Sequence, residues 1–283
     1  MKYLVLGSSG QIGKPLCHFL TKQGHEVLEF DILRSPEEDL RIRSQFLEEQ
    51  IKRADFVFFL AFDVGGANYL KAHQTSFEFV QNNALIMANV FDILRLHKKP
   101  FIFTSSQMSA MTHSPYGVAK AMGEAYTNAL NGIIVKLWNV YGPEDCDEER
   151  THVVTDFIRR ATNSTECFKI QTTGQEERQF LYVEDCCAAL YALSCKYNEL
   201  SRGEEYHITS FRWIKIYDLA NMISHLTHAP FRVDPSATDS VQGVKCEPRA
   251  YPITMYWRPE TTLEEGLKNV LAYERAKNSG IGL

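Results

Sequence analysis

The sequence predicts an α/β fold in which a doubly wound parallel sheet is joined to a smaller C-terminal α/β lobe. In the first half of the chain, short apolar runs alternate with segments of helical periodicity, the pattern of a parallel sheet with helices on both faces. The run from Asp55 to Leu60 is apolar at nearly every position, as central parallel strands are. A glycine-rich turn, Gly7-Ser-Ser-Gly-Gln-Ile-Gly13, joins the first apolar run to the first helical segment.

The order of these segments gives the individual elements. Strands are predicted at Tyr3 to Leu6, Glu26 to Phe30, Asp55 to Leu60, Phe101 to Thr104 and Ile133 to Leu137. Helices are predicted at Gln11 to Lys22, through most of the charged stretch ending at Lys52, at Phe77 to Leu96 and at Tyr116 to Leu130. After Pro143, helices are predicted at Val153 to Ala161, from Glu184, at Ile216 to Leu226 and at Leu263 to Arg275. Further strands are predicted near Phe168 to Gln171, Phe180 to Val183 and Tyr206 to Ile208.

The composition excludes several classes of protein. The chain has 283 residues, 45% of them hydrophobic and 23% charged, which is typical of a folded domain. Its formal charge of -5, with Lys and Arg scattered, leaves no electrostatic footprint for nucleic acid or an anionic membrane. No apolar run approaches the roughly 20 residues of a membrane span, and we expect a cytoplasmic protein with reduced cysteines. His225 and His228 have no third ligand nearby, so we expect no metal site.

The glycine turn predicts a Rossmann-type dinucleotide site. Glycines at these positions permit a tight turn and let the backbone approach a pyrophosphate at the helix N-terminus. Asp31 ends the second predicted strand, where a carboxylate binds the adenosine ribose and repels a 2′-phosphate, so NAD is favoured over NADP. Arg34 opposes that prediction, because an arginine just after this strand can pair with a phosphate. The predicted pyrophosphate contacts are Gly7, Gly10, Gln11, Ile12 and Gly13.

Tyr116, Lys120 and Ser106 form a candidate catalytic group. Tyr116 and Lys120 are four residues apart and share one face of a predicted helix. Removing a hydride from a carbinol carbon requires the hydroxyl proton to leave as well, and a tyrosinate is a suitable base although a free phenol has a pKa near ~10. A nearby ammonium and a cationic nicotinamide favour the ionised phenol. Ser106, at the end of the preceding strand, is placed to hydrogen-bond the same substrate hydroxyl.

Together these features resemble the extended short-chain dehydrogenase/reductase family, and within it the NAD-dependent nucleotide-sugar epimerases and dehydratases, over nearly the whole chain. Further matching stretches are Asp39-Leu40, Leu60-Ala61, Asn83, Asn139 to Pro143, Arg178 to Asp185 and Thr262 to Leu267. The resemblance implies that a set of residues binds or supports the cofactor: Asp39, Leu40, Leu60, Ala61, Asn83, Thr104, Tyr116 and Lys120. It implies that Gln107, Asn139, Arg178 and Arg249 contact a nucleotide-sugar substrate. It also implies an NAD-binding domain at 1–165, completed by roughly 180–222, and a smaller nucleotide-sugar-binding lobe at 166–179 and 223–283.

The resemblance implies transient oxidation at a sugar carbon, usually C4, by tightly held NAD. Dehydratases of the family carry an Asp-Glu pair after the strand-end Ser or Thr, but Gln107-Met108 stands here, which disfavours dehydration. GDP-mannose 3,5-epimerases and GDP-fucose synthases carry a cysteine in this loop as an acid/base. Met108 cannot perform that role, and His113, in the same loop, is more typical of a solvated histidine.

The loop Asp63-Val64-Gly65-Gly66 nonetheless resembles the Gly-Gly loop of those GDP-sugar enzymes. We therefore expect Val64, Gly65 and Gly66 beside the substrate, and favour a GDP-linked manno-configured hexose or heptose over a UDP- or dTDP-sugar. The stretch from Phe103 to Lys120 is also similar to bacterial capsular-heptose 4-dehydrogenases. Release of a 4-keto sugar and 4-epimerisation by re-reduction both stay open. A non-sugar carbonyl reductase and a catalytically inactive, cofactor-binding regulator are the alternatives from other classes.

The family commonly dimerises through the helix that contains the catalytic tyrosine and the long helix before it. The resemblance therefore implies a homodimer, with Met87, Met122 and Tyr126 as candidate apolar contacts or, equally, as core residues. Sedimentation showing only monomer at micromolar concentration would reject the dimer.

Overall fold

The computed structural model describes residues 1–144, 148–163, 167–236 and 247–279. The strands are β1 (Lys2–Leu6), β2 (Glu26–Phe30), β3 (Phe56–Phe59), β4 (Phe101–Ser106), β5 (Ile133–Leu137), β6 (Asn139–Tyr141), β7 (Phe168–Ile170), β8 (Glu177–Tyr182), β9 (Glu205–Ile208), β10 (Trp213–Lys215) and β11 (Phe231–Val233). The helices are α1 (Gly13–Lys22), α2 (Gln45–Arg53), α3 (Ala67–His73), α4 (Phe77–His97), α5 (Pro115–Ala129), α6 (Val153–Asn163), α7 (Val183–Cys195), α8 (Ile216–Thr227) and α9 (Leu263–Asn278).

The centre of the fold is a parallel sheet in the order β2-β1-β3-β4-β5-β9. Successive side chains of β1 point to opposite faces, and both faces are covered. Tyr3 and Val5 pack in a core cluster that contains residues of α1 and α7. Leu4 and Leu6 pack in a second cluster with α2 and α4. This two-sided core confirms the predicted doubly wound sheet.

Smaller sheets and helices lie beside the central sheet. β8 pairs in parallel with β6 and antiparallel with β10, and β11 pairs in parallel with β7. α6 packs against α8 and α9, and α8 also contacts β10 and β11. The division into two lobes stays a prediction, and its boundary at 165/166 falls outside the described residues.

The structure differs from the sequence-based elements mainly between β2 and β3. The charged stretch was expected to be mostly helix, yet it holds only a 3-10 helix, Pro36–Glu38, and α2. Ser35 and Ser44 each cap the start of a separate helix with a side-chain hydrogen bond, and Asp39 between them is extended. The segment therefore forms two short helices instead of one long helix. α3 and the three-residue strands β6, β10 and β11 were not predicted, because so few residues carry no periodicity.

Two further expectations concern surfaces and thiols. In the ranges the structure describes, no helix is long and apolar enough to cross a membrane. Met122 and Tyr126 are 42% and 41% exposed on α5, whereas Met87 is fully buried and is a core residue. The homodimer and the cytoplasmic location stay predictions. Free thiols are found at Cys17, Cys167, Cys186, Cys187 and Cys195, while Cys146 and Cys246 lie outside the described residues.

Candidate active site

The candidate active site lies at the carboxyl edge of the central sheet. β2 and β3 flank β1, so the connections from β1 and from β2 run in opposite directions, and ligands of such sheets bind in the crevice at this point. The backbone N–H groups of Leu60 and Ala61 donate to the Leu6 carbonyl over 3.0 and 2.9 Å. These bonds fix the end of β3 beside the glycine turn.

Glycine stands at the three positions of the turn for different structural reasons. Gly7 has φ +90°, and a Cβ there would lie 2.8 Å from the Ala61 nitrogen. A Cβ on Gly13 would lie 1.9 Å from the Gly7 carbonyl oxygen. A Cβ on Gly10 would meet only that oxygen, at an ordinary 3.4 Å. Packing therefore requires the first and third glycines, while the absent side chain of Gly10 leaves room for a ligand against the turn.

The first turn of α1 suits a pyrophosphate. Ile12 precedes the helix and provides no side-chain cap. The Lys14 N–H donates to the Gly10 carbonyl over 3.1 Å and Pro15 has no N–H, so in this turn the Gly13 N–H is the group that an anion would meet. Gln11 donates from Nε2 to the Val140 carbonyl over 3.3 Å, which ties the turn to β6. The glycine cradle and the uncapped helix start together fit a dinucleotide.

The two carboxylates predicted at the adenosine end are both engaged within the protein. Asp31 accepts hydrogen bonds from the Ser9 and Leu33 N–H groups over 3.0 and 2.9 Å, so it lies against the glycine turn. Asp39 is held by Arg41, with Nη2 2.7 Å from Oδ2, and this hydrogen bond lowers the pKa of Asp39. Leu40, the next residue, is buried.

Asn83 organises the loop after β3. Its Nδ2 donates to the Asp63 carbonyl over 3.1 Å, and its Oδ1 accepts from the Asp63 N–H over 2.8 Å. The Asp63 carboxylate accepts from the Tyr69 hydroxyl over 2.7 Å and from Asn82 and Arg150. Burial would raise the pKa of Asp63, but these hydrogen bonds outweigh it and hold the pKa below its usual range. The loop is therefore rigidly anchored.

Gly65 and Gly66 are needed where this loop meets the segment before α6. A Cβ on Gly66 would lie 2.2 Å from the Thr151 carbonyl oxygen, and one on Gly65 would lie 2.8 Å from the Tyr69 side chain. Arg150 donates to the Val64 carbonyl over 2.8 Å. Packing alone thus explains both glycines, and contact of Val64, Gly65 and Gly66 with a substrate stays a prediction.

Ser106, Tyr116 and Lys120 are brought together where β4 ends and α5 begins. Lys120 donates from Nζ to the Thr104 carbonyl over 2.7 Å and lies 3.8 Å from the centre of the Phe62 ring. Burial raises the pKa of Tyr116 to about 12, although the Ser106 side chain lowers it. Burial also lowers the pKa of Lys120 to about 7. The phenol of Tyr116 is therefore protonated at neutral pH until another positive charge approaches.

The predicted substrate residues are less closely grouped. Asn139 donates to the Gln179 carbonyl over 3.4 Å, and Arg178 lies beside it on β8 with only 9% of its surface exposed. Burial lowers the pKa of Arg178. Gln107 is buried in the 3-10 helix after β4, whereas Arg249 is exposed. Asn139 and Arg178 thus lie on the paired strands β6 and β8, and Arg249 lies at the surface.

A pair that the sequence did not reveal lies beyond the Gly-Gly loop. The buried carboxylate of Glu144 accepts a hydrogen bond from the backbone N–H of His152 over 3.1 Å, and it forms an ion pair with the His152 imidazole. Burial opposes protonation of His152, but the ion pair outweighs it and raises the pKa of the imidazole above its usual value. His152 adjoins Gly66, whose added Cβ would lie 3.3 Å from the His152 Cα. Glu144 and His152 are eight positions apart in a stretch where the sequence predicts neither helix nor strand, so no pattern pointed to the pair.

His113, in contrast, is exposed, as a solvated loop histidine is. The other end of the Gly-Gly loop reaches the catalytic group, because Phe62 packs edge-on against Tyr116 with ring centres 5.8 Å apart. One loop thus connects the Tyr116 side of the crevice with His152.

Two curated relatives align over almost the whole chain. The chain is 28% identical over 302 residues to a GDP-L-fucose synthase of Sinorhizobium fredii, covering 93% of this chain and 92% of the relative. It is 23% identical over 332 residues to a GDP-mannose 3,5-epimerase of Arabidopsis thaliana, covering 100% of this chain and 86% of the relative.

Two solved structures share the fold. Epimerase Mth375 of Methanothermobacter thermautotrophicus has a TM-score of 0.82 at 22% identity, covering 99% of this chain and 94% of that one. A GDP-6-OMe-4-keto-L-xylo-heptose reductase from C. jejuni has a TM-score of 0.81 at 17% identity, covering 98% of each chain.

The family model extends from the first strand to the last strand of the central sheet. Residues 3–209 match the model of the NAD dependent epimerase/dehydratase family, which is more than half of the 283 residues. This match confirms the resemblance and the cofactor inferred from the sequence. The chain belongs to the NAD dependent epimerase/dehydratase family, and its cofactor is NAD.

Proposed function

We propose that this protein oxidises C4 of a nucleotide-linked sugar, with a GDP-linked manno-configured hexose or heptose as the preferred substrate. The carrying observation is the group of Ser106, Tyr116 and Lys120 at the carboxyl edge of the sheet, beside a glycine turn with room for a dinucleotide. The names of the relatives, a GDP-L-fucose synthase and a GDP-mannose 3,5-epimerase, support a GDP-sugar. The name of the C. jejuni reductase supports a heptose with chemistry at C4.

In the proposed reaction, NAD held against the glycine turn would supply the acceptor for the hydride of C4. Tyr116, once ionised, takes the proton of the C4 hydroxyl, and Ser106 holds that hydroxyl in line. Lys120 lies on the same face of α5 and supplies positive charge that favours the tyrosinate when it is protonated. Arg178, desolvated on β8, is the proposed partner of the sugar-nucleotide phosphates, since guanidinium pairs with phosphate in a bidentate way. The product is a 4-keto sugar or, after re-reduction, the 4-epimer.

A second candidate function is epimerisation at a carbon next to the C4 ketone. The observation that favours it is the pair of Glu144 and His152, which supplies an acid/base group that the loop after β4 lacks. The carbons beside a ketone, C3 and C5, lose protons more easily than other sugar carbons. The imidazole of His152 is half-buried beside the Gly-Gly loop, where a substrate is predicted.

One experiment separates these functions. The pure protein is incubated in D2O with NAD and panels of GDP-, UDP- and dTDP-sugars, while NADH absorbance is followed and NMR identifies products. Stoichiometric NADH with a 4-keto sugar indicates a dehydrogenase, and a 4-epimer without net NADH indicates a 4-epimerase. Deuterium at C3 or C5 that disappears in His152→Gln indicates epimerisation beside the ketone. No turnover with any sugar nucleotide, despite NAD binding, would reject the proposal and favour a non-sugar carbonyl substrate or a cofactor-binding regulator.

A further inference from the structure

Arg34, the residue that opposed the NAD prediction, forms ion pairs with two carboxylates, although its side chain is 44% exposed. Its Nη1 lies 2.5 Å from Glu29 Oε2, and its Nε lies 3.5 Å from Glu38 Oε2. Both carboxylates belong to the region around the end of β2, which leads to Asp31. We call Glu29, Glu38 and Arg34 the arginine clamp.

The local structure fixes Glu38 in this position. The 3-10 helix Pro36–Glu38 begins at Ser35, whose side chain accepts a hydrogen bond from the Glu37 N–H. Glu38 is only 9% exposed, and its Oε2 accepts a hydrogen bond from the Asp31 N–H over 2.7 Å. Because the same Oε2 atom accepts from the Asp31 N–H and lies beside Arg34, moving Glu38 away would break this half-buried hydrogen bond.

The clamp lies where a dinucleotide is distinguished by its ribose. Asp31 lies against the glycine turn, through its bond from the Ser9 N–H, and it is the residue expected to meet the ribose hydroxyls. An arginine near this position normally accommodates a 2′-phosphate. Here the guanidinium is already occupied on two sides, and an entering phosphate would also approach the carboxylates of Glu29 and Glu38.

The neighbouring arginine offers no substitute. Arg41 is held by Asp39 through Nε and Nη2, and it also donates to Asn82. Asp39 keeps it in place through three contacts of 2.7 to 3.1 Å. Two arginines thus face three carboxylates at this end of the site, and Asp31 adds a further negative charge.

We propose that Glu29 and Glu38 are specificity-determining residues, which hold Arg34 away from the ribose 2′ position and so select NAD(H) against NADP(H). The inference rests on the family's use of the cofactor and not on the identity of the sugar. Asp31 alone would select NAD(H) by repelling the 2′-phosphate of NADP(H). The proposal adds a second cause, which is that Arg34 is kept from binding that phosphate.

Direct binding tests the proposal without any substrate. Dissociation constants of NADH and NADPH are measured by fluorescence titration for the wild-type protein, the double variant Glu29→Gln/Glu38→Gln, and that variant with Arg34→Ala added. Glutamine at position 38 can still accept the Asp31 hydrogen bond, so the fold is retained. We expect the double variant to bind NADPH roughly 10-fold to 100-fold more tightly, the effect of a gained charge-assisted hydrogen bond, with NADH affinity within about 3-fold.

Glu37→Gln is the matched control, because it removes the same charge from the same 3-10 helix at an exposed position. The proposal expects no gain in NADPH affinity from Glu37→Gln and loss of the gain when Arg34→Ala is added. An unchanged NADPH dissociation constant in the double variant would overturn it, as would an equal gain in Glu37→Gln. Failure of the sugar proposal leaves these binding constants unaffected, so the two results are distinguishable.

Discussion

Replacing Tyr116 with phenylalanine is expected to lower kcat by about 10²-fold to 10⁴-fold, the usual contribution of a positioned acid/base group. The phenol is buried, and among the residues that the structure describes Ser106 is the polar side chain that acts on its pKa, so loss of the hydroxyl removes the proton acceptor without opening the core. NAD binding and the midpoint of thermal unfolding are expected to change little. Turnover of the GDP-sugar that the wild-type protein oxidises measures kcat, and titration with NAD measures cofactor binding.

The pH dependence of the wild-type enzyme follows from the same pair of groups. The pKa of Tyr116 is raised to about 12 and that of Lys120 is lowered to about 7, both by burial. Oxidation requires the deprotonated phenol, so the oxidation rate is expected to rise with pH while the reverse reduction falls. Positive charge near the phenol lowers the pH at which this occurs, and because Lys120 loses its charge as pH rises through its pKa of about 7, bound NAD would supply that charge at higher pH. Tyr116→Phe is expected to abolish this limb of the profile.

Tyr126→Phe is the appropriate comparison for this variant. Tyr126 lies on the same helix, α5, but its side chain is 41% exposed on the outer face. The proposal expects wild-type kcat and the wild-type pH profile for this change. If Tyr116→Phe retained more than about a tenth of the activity, another group would have to accept the proton, and the catalytic assignment would be wrong.

The parts of the site that the sequence predicted are those with local patterns. The turn after β1 is visible because three glycines stand between an apolar strand and a helix, and the catalytic pair is visible because Tyr116 and Lys120 have helical spacing. β1, β3, β4 and β5 were predicted because buried parallel strands are apolar at consecutive positions, whereas β2, at the edge of the sheet, contains exposed Glu26 and Glu29. Local sequence patterns therefore predicted the fold class, the glycine turn and the catalytic pair.

The parts that were not predicted depend on contacts between irregular segments. Glu144 and His152 form an ion pair across a stretch whose sequence has no helical or strand periodicity. Arg34 forms ion pairs with Glu29 of β2 and with Glu38 of a single 3-10 turn. The reason for Gly66 is also non-local, because the atom its Cβ would meet belongs to Thr151. Neither composition nor spacing records such contacts, so only the folded structure reveals them.

Gly13→Ala is expected to reduce both stability and cofactor binding. A Cβ at 1.9 Å from the Gly7 carbonyl oxygen cannot be accommodated without moving the backbone of the turn. Overpacking of this kind costs up to about 3 kcal/mol, which corresponds to a decrease of roughly 5 °C in the unfolding midpoint for a chain of this size. The displaced turn is also expected to weaken NAD binding by more than about tenfold.

Gly10→Ala separates packing from ligand binding at the same turn. Its Cβ would have one neighbour at an ordinary 3.4 Å, so the unfolding midpoint is expected to stay within about 1 °C of wild type. A methyl group in the space left for the pyrophosphate is nevertheless expected to weaken NAD binding by about tenfold, and so to diminish the rise in unfolding midpoint that NAD produces. Normal NAD binding in Gly10→Ala would show that the pyrophosphate does not lie against this glycine. An unaltered midpoint in Gly13→Ala would show that the contact with Gly7 is not what requires glycine there. Only the combination of a destabilised Gly13→Ala and a stable, weakly binding Gly10→Ala agrees with a turn that is closed by packing on one side and open to the cofactor on the other.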